Sequence, residues 1–532
     1  MSWQELRFVD SSSTRIGYRW GNDWSFKVHY SEIFATDPVA FGPPENPRPH
    51  GFLVLAKAGR DIWNSWRTDH PTELDASTGK WLRAVRWHAD NPPEHVNISN
   101  QPGLNFSGFL FGDGADFTGQ QFSRDMGVVK FEGARFGDDA RFDSTAFHFG
   151  VSFRGASFGS NASFRSVSVT PDEVLPIATD WICFENATFG DKARISGLYC
   201  AWNYGLEKMP VVSFKGVKFG DGARFLLGGI ATPFRLLDIS EAVFGKDADF
   251  SESFFKGMAS FRGSRFGANT TFAYALFSDV DFEQCHFGDW VDFKGDDFRW
   301  ISFAQTVFEG RAHFSNRIFR AHTNFSRVRF GQVPLFHDCK LHQDTEFDVD
   351  ADSFPSKPEG TTTAARGYRT LKLAMSTHQA TREEQFFFRR EMQEERAVLW
   401  SSGRPHLRLR SVLYWLYGAL SDYGASVRRP AMWFLVLCVA FAGMYAASSQ
   451  SATLWIPGRE FDGAQTVHWI AYSFVNSLPL GGVEEASRDL RGALFGVKPA
   501  PWLPVVLVMH KVLSLLFLFL IGLALRNLFK LK

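Results

Sequence analysis

The stretch Phe131–Phe147 reads FEGARFGDDARFDSTAF, with phenylalanines at 131, 136, 142 and 147. The steps are five, six and five. Neither the alternation of a half-buried strand nor the 3.6-residue period of a helix produces that spacing. The chain holds 56 Phe against 11 Tyr. An excess of one aromatic residue at one interval points to an internal repeat.

Following the phenylalanines outward extends the pattern. Phe153, Phe158 and Phe164 come next. A longer run starts at Ile239 and Phe244, passes through Phe250, Phe255, Phe261, Phe266 and Phe272, and continues to Phe347, nearly every step being five or six. Two places before most of them stands a small or β-branched residue, such as Ala140, Ala156, Ala248, Thr270 or Ala312. The unit is small-x-Phe-x-x, with an extra residue, often Gly, after every second unit. Alternate residues of a strand face the same way, so the small residue and the Phe both point inward. Gly and Asp supply the corners. One unit cannot bury its own Phe, but stacked coils can, and each buried Phe contributes roughly 1.5–3 kcal/mol. The expectation is a β-solenoid rather than a sandwich with accidental periodicity.

These units resemble those of pentapeptide-repeat proteins. The resemblance covers residues 104–354 and implies an all-β, right-handed quadrilateral β-helix. The pattern breaks at Thr170–Trp181, at Ala201–Val211 and around Thr232-Pro233, where segments are expected to loop out. Residues 1–103 read as an N-terminal cap domain. RIGYRW and WSFKVHY flank Gly21-Asn22-Asp23 as a β-hairpin, and GFLVLAKAGRDIWNSWRTDH reads as helical up to Pro71. GRDIWNSWR resembles a segment that precedes the repeats in some bacterial relatives. A rod of this kind needs a cap over its open end.

After the repeats, residues 355–403 form a Pro/Gly/Thr linker followed by two charged helices, with Phe386, Phe387 and Phe388 in the second. Residues 404–430 mix Arg with Leu, Trp and Tyr and read as an interfacial amphipathic helix. Residues 431–448 carry no charge and are long enough to span a bilayer. The second candidate span, residues 502–525, contains His510 and Lys511 as membrane-embedded polar residues. A central lysine costs about 2.5–3.5 kcal/mol, while each Leu, Ile, Phe or Val returns about 0.3–0.6. Fifteen such residues between Val505 and Leu525 outweigh it. Arginines 404, 408, 410, 428 and 429 precede the first span, and Arg526, Lys530 and Lys532 end the chain in a short tail, residues 526–532. The loop 449–501 is mixed in charge. This asymmetry predicts both termini of a multi-pass protein in the cytoplasm, no signal peptide opens the chain, and the resemblance to bacterial pentapeptide-repeat proteins implies the inner (plasma) membrane of a bacterium.

Within that loop, residues 466–482 end in Asn476-Ser477-Leu478-Pro479-Leu480-Gly481-Gly482. An aromatic, helix-like stretch followed by Pro-Leu-Gly-Gly between two spans resembles the pore loop of two-helix ion channels, and those seven residues are the candidate pore segment. Pro479 and Leu480 replace residues central to a potassium filter, whose carbonyls ring the ion, so potassium selectivity is not implied. The whole layout resembles bacterial membrane-bound pentapeptide-repeat proteins with a channel-like tail.

Three classes of function follow. The first is a membrane-anchored scaffold with a cytoplasmic protein partner on the solenoid. The second is an oligomeric channel-like protein with a degenerate pore loop, a homo-oligomer in the lipid bilayer. The third is a DNA-mimicking protector of topoisomerases, as some relatives of the repeat fold are. Formal net charge is zero, and residues 104–350 hold 25 basic and 32 acidic residues, a mild excess that argues against nucleic-acid mimicry. No nucleophile–base set, phosphate loop or metal spacing stands out, so neither an enzyme nor a cofactor is expected. His337 and His342 read as solvated. Of the five cysteines, Cys285 and Cys339 fill small inward slots, Cys200 a central slot, and Cys438 lies in the first span, as small core residues of a reducing compartment.

Overall fold

In the computed structural model the described residues are 7–8, 16–17, 29–36, 38–45, 47–48, 51, 55, 60–70, 105–122, 128–169, 181–200, 211–227, 236–295, 297–349, 352–448, 463–478, 488, 490–491, 494–495 and 501–529. They fall into two compact units, residues 1–356 and 357–532.

The first unit is a β-solenoid of short parallel strands. The strands form one sheet of eleven, one of ten and smaller sheets on the remaining faces. Each face is backed by a column of stacked rings. One column runs Phe106, Phe131, Phe153, Phe184 and Phe214, with centroids 4.8–5.1 Å apart. Ile239 stands in the next place, and the column resumes at Phe261, Phe282 and Phe303. A second column is unbroken from Phe111 to Phe330. Rings of adjacent columns meet edge to face, as Phe250 and Phe261 do, the arrangement that the ring quadrupole favours.

The three predicted excursions largely lie outside the described residues, but their flanks keep register. Val151 pairs with Ile182, 31 residues on, while Val129 pairs with Val151 after 22. The ladder is therefore continuous across the longer spacing.

The corners explain the repeat's other residues. Aspartate Oδ1 atoms accept backbone N–H groups from the next coil, as Asp138 does from Ser160 (2.7 Å) and Asp221 from Lys246 (2.7 Å). The extra glycine marks a close approach of backbones. A Cβ on Gly267 would lie 2.5 Å from the carbonyl oxygen of Gly245 and 2.8 Å from the amide nitrogen of Lys246. Gly267→Ala is expected to destabilise the rod by about 1–3 kcal/mol through overpacking, read as earlier chemical denaturation. A neutral result would mean that the coils can separate at this corner.

The small inward slot has a further use. Its hydroxyls and thiols donate to the carbonyl of a core residue one coil below: Thr145 to Phe117 (2.9 Å), Ser264 to Ile239 (2.6 Å), Cys285 to Phe261 (2.9 Å) and Cys339 to Phe314 (2.9 Å). Burial pushes the Cys285 thiol up, and pushes Cys339 up to about 12. Both stay protonated. Cys285 is expected to resist maleimide at neutral pH until the rod unfolds; labelling of the native protein would show this slot to be open.

At the N-terminal end, helices α1 (Tyr30–Thr36), α2 (Pro38–Phe41) and α3 (Arg60–Asp69) precede the coils. Arg7–Phe8 pairs antiparallel with Ile16–Gly17, so the first predicted hairpin arm pairs with the chain before it. The Gly21-Asn22-Asp23 turn lies outside the described residues, and Tyr30, the last residue of the second arm, begins α1. Helix α3 closes the first coil. The Asn64 amide donates to the Gly108 carbonyl (3.0 Å) and accepts from Leu110 N–H (2.9 Å), as a neighbouring strand would. Trp63 donates to the Leu110 carbonyl (2.7 Å) and packs on Phe109 and Phe111. An open edge is thereby covered.

The second unit is helical. α4 (Thr362–Thr377) starts at Thr361, whose side chain accepts from Ala364 N–H. α5 (Thr381–Ser401) packs against it. The buried Glu391 of α5 is held by Arg369 (2.7 Å) and Lys372 (2.7 Å) of α4. α6 (Pro405–Ser421) has Pro at its first position, where a missing N–H costs nothing. α7 (Arg428–Ser448), α8 (Gly463–Ser477) and α9 (Leu503–Phe529) complete the unit. α7 and α9 are long and apolar enough to cross a membrane.

Candidate functional site

Helix α8 ends against the middle of α7 and the first third of α9. Its last two turns place Ser473, Asn476 and Ser477 inside the unit, all buried. The facing residues are Cys438, Phe441 and Tyr445 on one side of α7, and His510 and Ser514 on one side of α9. Each pair spaced by three or four residues shares a helix face. Phe441, Tyr445, Trp469, Tyr472, Phe495, Leu503 and Val506 form an apolar cluster, and Phe434, Cys438, Phe517 and Leu520 form a second.

The hydrogen bonds fix the protons. Ser477 Oγ lies 2.8 Å from the Ser473 carbonyl, which can only accept, so Ser477 donates there. His510 Nε2, 3.0 Å from the same Oγ, must then be the donor. The neutral ring leaves Nδ1 to accept from the Tyr445 hydroxyl at 2.9 Å. Cys438 Sγ lies 3.2 Å from Ser477 Oγ and fills its second lone pair. Ser473 Oγ donates to the Cys438 carbonyl (2.7 Å). Phe441 stacks on the imidazole, with centroids 4.2 Å apart at 6°. A serine and a histidine at hydrogen-bond distance could suggest nucleophilic chemistry. The proton count opposes it, because Ser477 points its hydrogen at a carbonyl and its imidazole partner is a donor. The arrangement is a clamp joining three helices.

The sequence-predicted residues are distributed as follows. Asn476 donates from Nδ2 to the Tyr472 carbonyl (2.9 Å). Leu478 is half-buried just past the helix end, its N–H 3.4 Å from the Val475 carbonyl. Pro479, Leu480, Gly481 and Gly482 lie outside the described residues. His510 is fully buried, whereas Lys511 is exposed on the outer side of α9. Sequence reading missed Tyr445 and Ser473 as partners, and Ser514 as a buried residue of the same face. Their signal was present: polar residues four apart in apolar helices, Ser473 with Ser477 and His510 with Ser514, mark an inward face.

A second set of bonds joins the other ends of these helices. Asn527 of α9 donates to the Gly424 carbonyl (3.0 Å), and Gln385 of α5 donates to the Asn527 carbonyl (3.1 Å). Asp422 is paired with Arg389 of α5 (3.0 Å) and Arg429 of α7 (3.5 Å). Asp422, Tyr423 and Gly424 are three consecutive left-handed residues. The start of α7 and the end of α9 thus lie together beside α5.

Comparison with known proteins bears on the rod. Residues 239–286 match the family model described as pentapeptide repeats (nine copies). The matched stretch lies within the β-solenoid, which is followed by helices, two of them candidate membrane spans. No curated protein and no solved structure matched the chain.

Proposed function

We propose that the chain is an oligomeric channel-like membrane protein in which α7, α8 and α9 form the membrane module and the solenoid lies on the cytoplasmic side. One observation carries this reading. Ser477 is bonded to His510, the eighth residue of α9, about 10 Å along that helix at 1.5 Å per residue. The segment that follows α8 therefore starts at membrane depth, where a helix lying on the surface would not reach. Irregular backbone at that depth requires protein or water around it. Lys511 adds a second demand. It is exposed on a single chain at the same depth, where a second copy or a water-filled space would receive it unless it snorkels to the headgroups. The arginines before α7 support a cytoplasmic side for both termini.

The expected result in mild detergent is a closed ring of several chains, with ion flux after reconstitution. A cysteine at Leu478 is expected to react with water-soluble thiol reagents from the outer side, and Gly481→Val to abolish flux. A monomer without flux would overturn the reading.

A second reading is a membrane-anchored scaffold whose solenoid binds a cytoplasmic protein. It is favoured by the closure of the junction, where Ser477 and His510 spend their bonds on each other. DNA mimicry has the weakest support, since the excess of acidic over basic residues in the rod is small and a membrane anchor suits it poorly.

A further inference from the structure

Helix α6 has two opposed faces. Ser411 is buried and donates to the Arg396 carbonyl of α5 (2.9 Å), and Ser421 is buried on the same side. At about 100° per residue, Leu409, Val412, Leu413 and Leu416 gather on the opposite side. All four are exposed, Leu409 at 64% and Leu413 at 58%. Arg408 and Arg410 stand about 100° to either side of Leu409, so basic groups border the apolar stripe on both flanks. Arg408 lies over the exposed Trp400 (5.8 Å) and Arg410 over Tyr414 (5.5 Å). Neither makes an ion pair among the described residues; Arg410 donates to the Tyr414 hydroxyl (3.0 Å), which lies 3.5 Å from Glu395 of α5, a carboxylate already held by Arg369. Asp422 is the only acidic residue between Arg404 and Arg429, and it is already paired with Arg389 and Arg429. The helix leads directly into the candidate span α7 through the left-handed turn.

We propose that this face of α6 docks on anionic phospholipid, its leucines entering the edge of the acyl layer, with Arg408 and Arg410 on its flanks and the exposed Arg404 at the N-terminal end of the helix holding lipid phosphates. An apolar stripe bordered by arginines fits the boundary between headgroups and chains. An uncompensated basic set selects anionic over zwitterionic headgroups. A soluble protein partner would not need the stripe to run into a spanning helix. The proposal rests on α7 and α9 crossing the membrane.

The test uses the full-length chain in mixed micelles with equal phosphatidylglycerol and phosphatidylcholine, counting retained lipids by native mass spectrometry. Phosphatidylglycerol is expected to be retained at least tenfold over phosphatidylcholine. The triple variant Arg404→Gln, Arg408→Gln, Arg410→Gln is expected to lose that preference, while Arg366→Gln on α4 keeps it. Glycerol phosphate in excess is expected not to displace the lipid. Equal retention by the native chain, an undiminished preference in the triple variant, or displacement by glycerol phosphate would each overturn the proposal. Alkaline carbonate extraction of membranes separates the two readings. A chain that stays in the pellet but shows no lipid preference sinks this proposal alone, and a chain released by carbonate sinks the spanning reading with it.

Discussion

Phe261→Ala is expected to cost the solenoid about 3–5 kcal/mol, while Ser260→Ala next to it stays within about 0.5 kcal/mol. Phe261 is fully buried. Its ring stacks on Phe282 at 4.8 Å and meets Phe250 and Phe272 edge to face at 5.7 and 5.6 Å. Its other column neighbour is Ile239, so the cavity left by alanine would have one aromatic wall and one aliphatic wall. Neither can tip far into the space, because each ring is wedged by the adjacent columns. Ser260 points outward, and its carbonyl accepts from Ile239 N–H (2.7 Å), a bond that alanine retains. A solenoid gains stability from nearest-neighbour contacts between coils, so the loss should be local. Hydrogen exchange is the suitable measurement. Amides of Ile239 and Phe282, in the coils on either side, should exchange faster in Phe261→Ala, while Phe131 and Phe142 keep their protection. Equal effects of the two substitutions would contradict the inward and outward assignment.

That contrast was legible from the sequence because a solenoid repeats one local rule. Each Phe and its partner two places earlier face inward wherever the chain is in the ladder, so a spacing is enough to assign Phe261 and Ser260. The corner glycine was visible too, as the extra residue after every second unit. Its reason was not, because the contact of Gly267 with Gly245 is between coils and leaves no mark within one unit. The helical unit was less legible for a related cause. Hydropathy delimits α7 and α9, since apolar length is a property of one segment. The clamp of Tyr445, Ser477 and His510 joins three helices across 65 residues of sequence, and no local pattern states which polar residues will meet. Helix α6 lies between these cases. Its composition raised the expectation of an interfacial helix, but the placing of its arginines on both flanks of one stripe required knowing which face rests on α5.

Arg317 is where the repeat's own rule is broken, and Arg317→Ala is the other substitution expected to cost about 3–5 kcal/mol. Arg317 stands two places before Phe319, in a slot filled elsewhere mostly by Ala, Val, Ser, Thr or Cys, and it is fully buried. Its Nε donates to the Phe293 carbonyl, repeating the bond that Cys285 and Cys339 make in their coils. The rest of the guanidinium reaches further, to the Ala275 carbonyl (2.9 Å) and the Phe272 carbonyl (3.3 Å), two coils below. It also lies over the Phe298 ring at 4.3 Å. A single side chain thus ties three coils, where an ordinary slot residue ties two. Alanine would remove the volume and all three donors, each bond from a charged group contributing about 1.5–3 kcal/mol, in part offset by the relieved cost of burying the guanidinium, and the Phe272 carbonyl keeps its bond from Ala275 N–H. Arg317→Met restores most of the volume and none of the donors, so it should recover only part of the loss. Arg317→Lys keeps the charge but presents a point charge in place of a planar fork, and it should fail to serve three carbonyls at once. The measurement is denaturation of the three variants beside the native chain. Methionine as stable as arginine would mean that the residue acts by filling space. The expected order, with native above methionine and methionine above alanine, would assign the difference between the first two to the bonds across the coils.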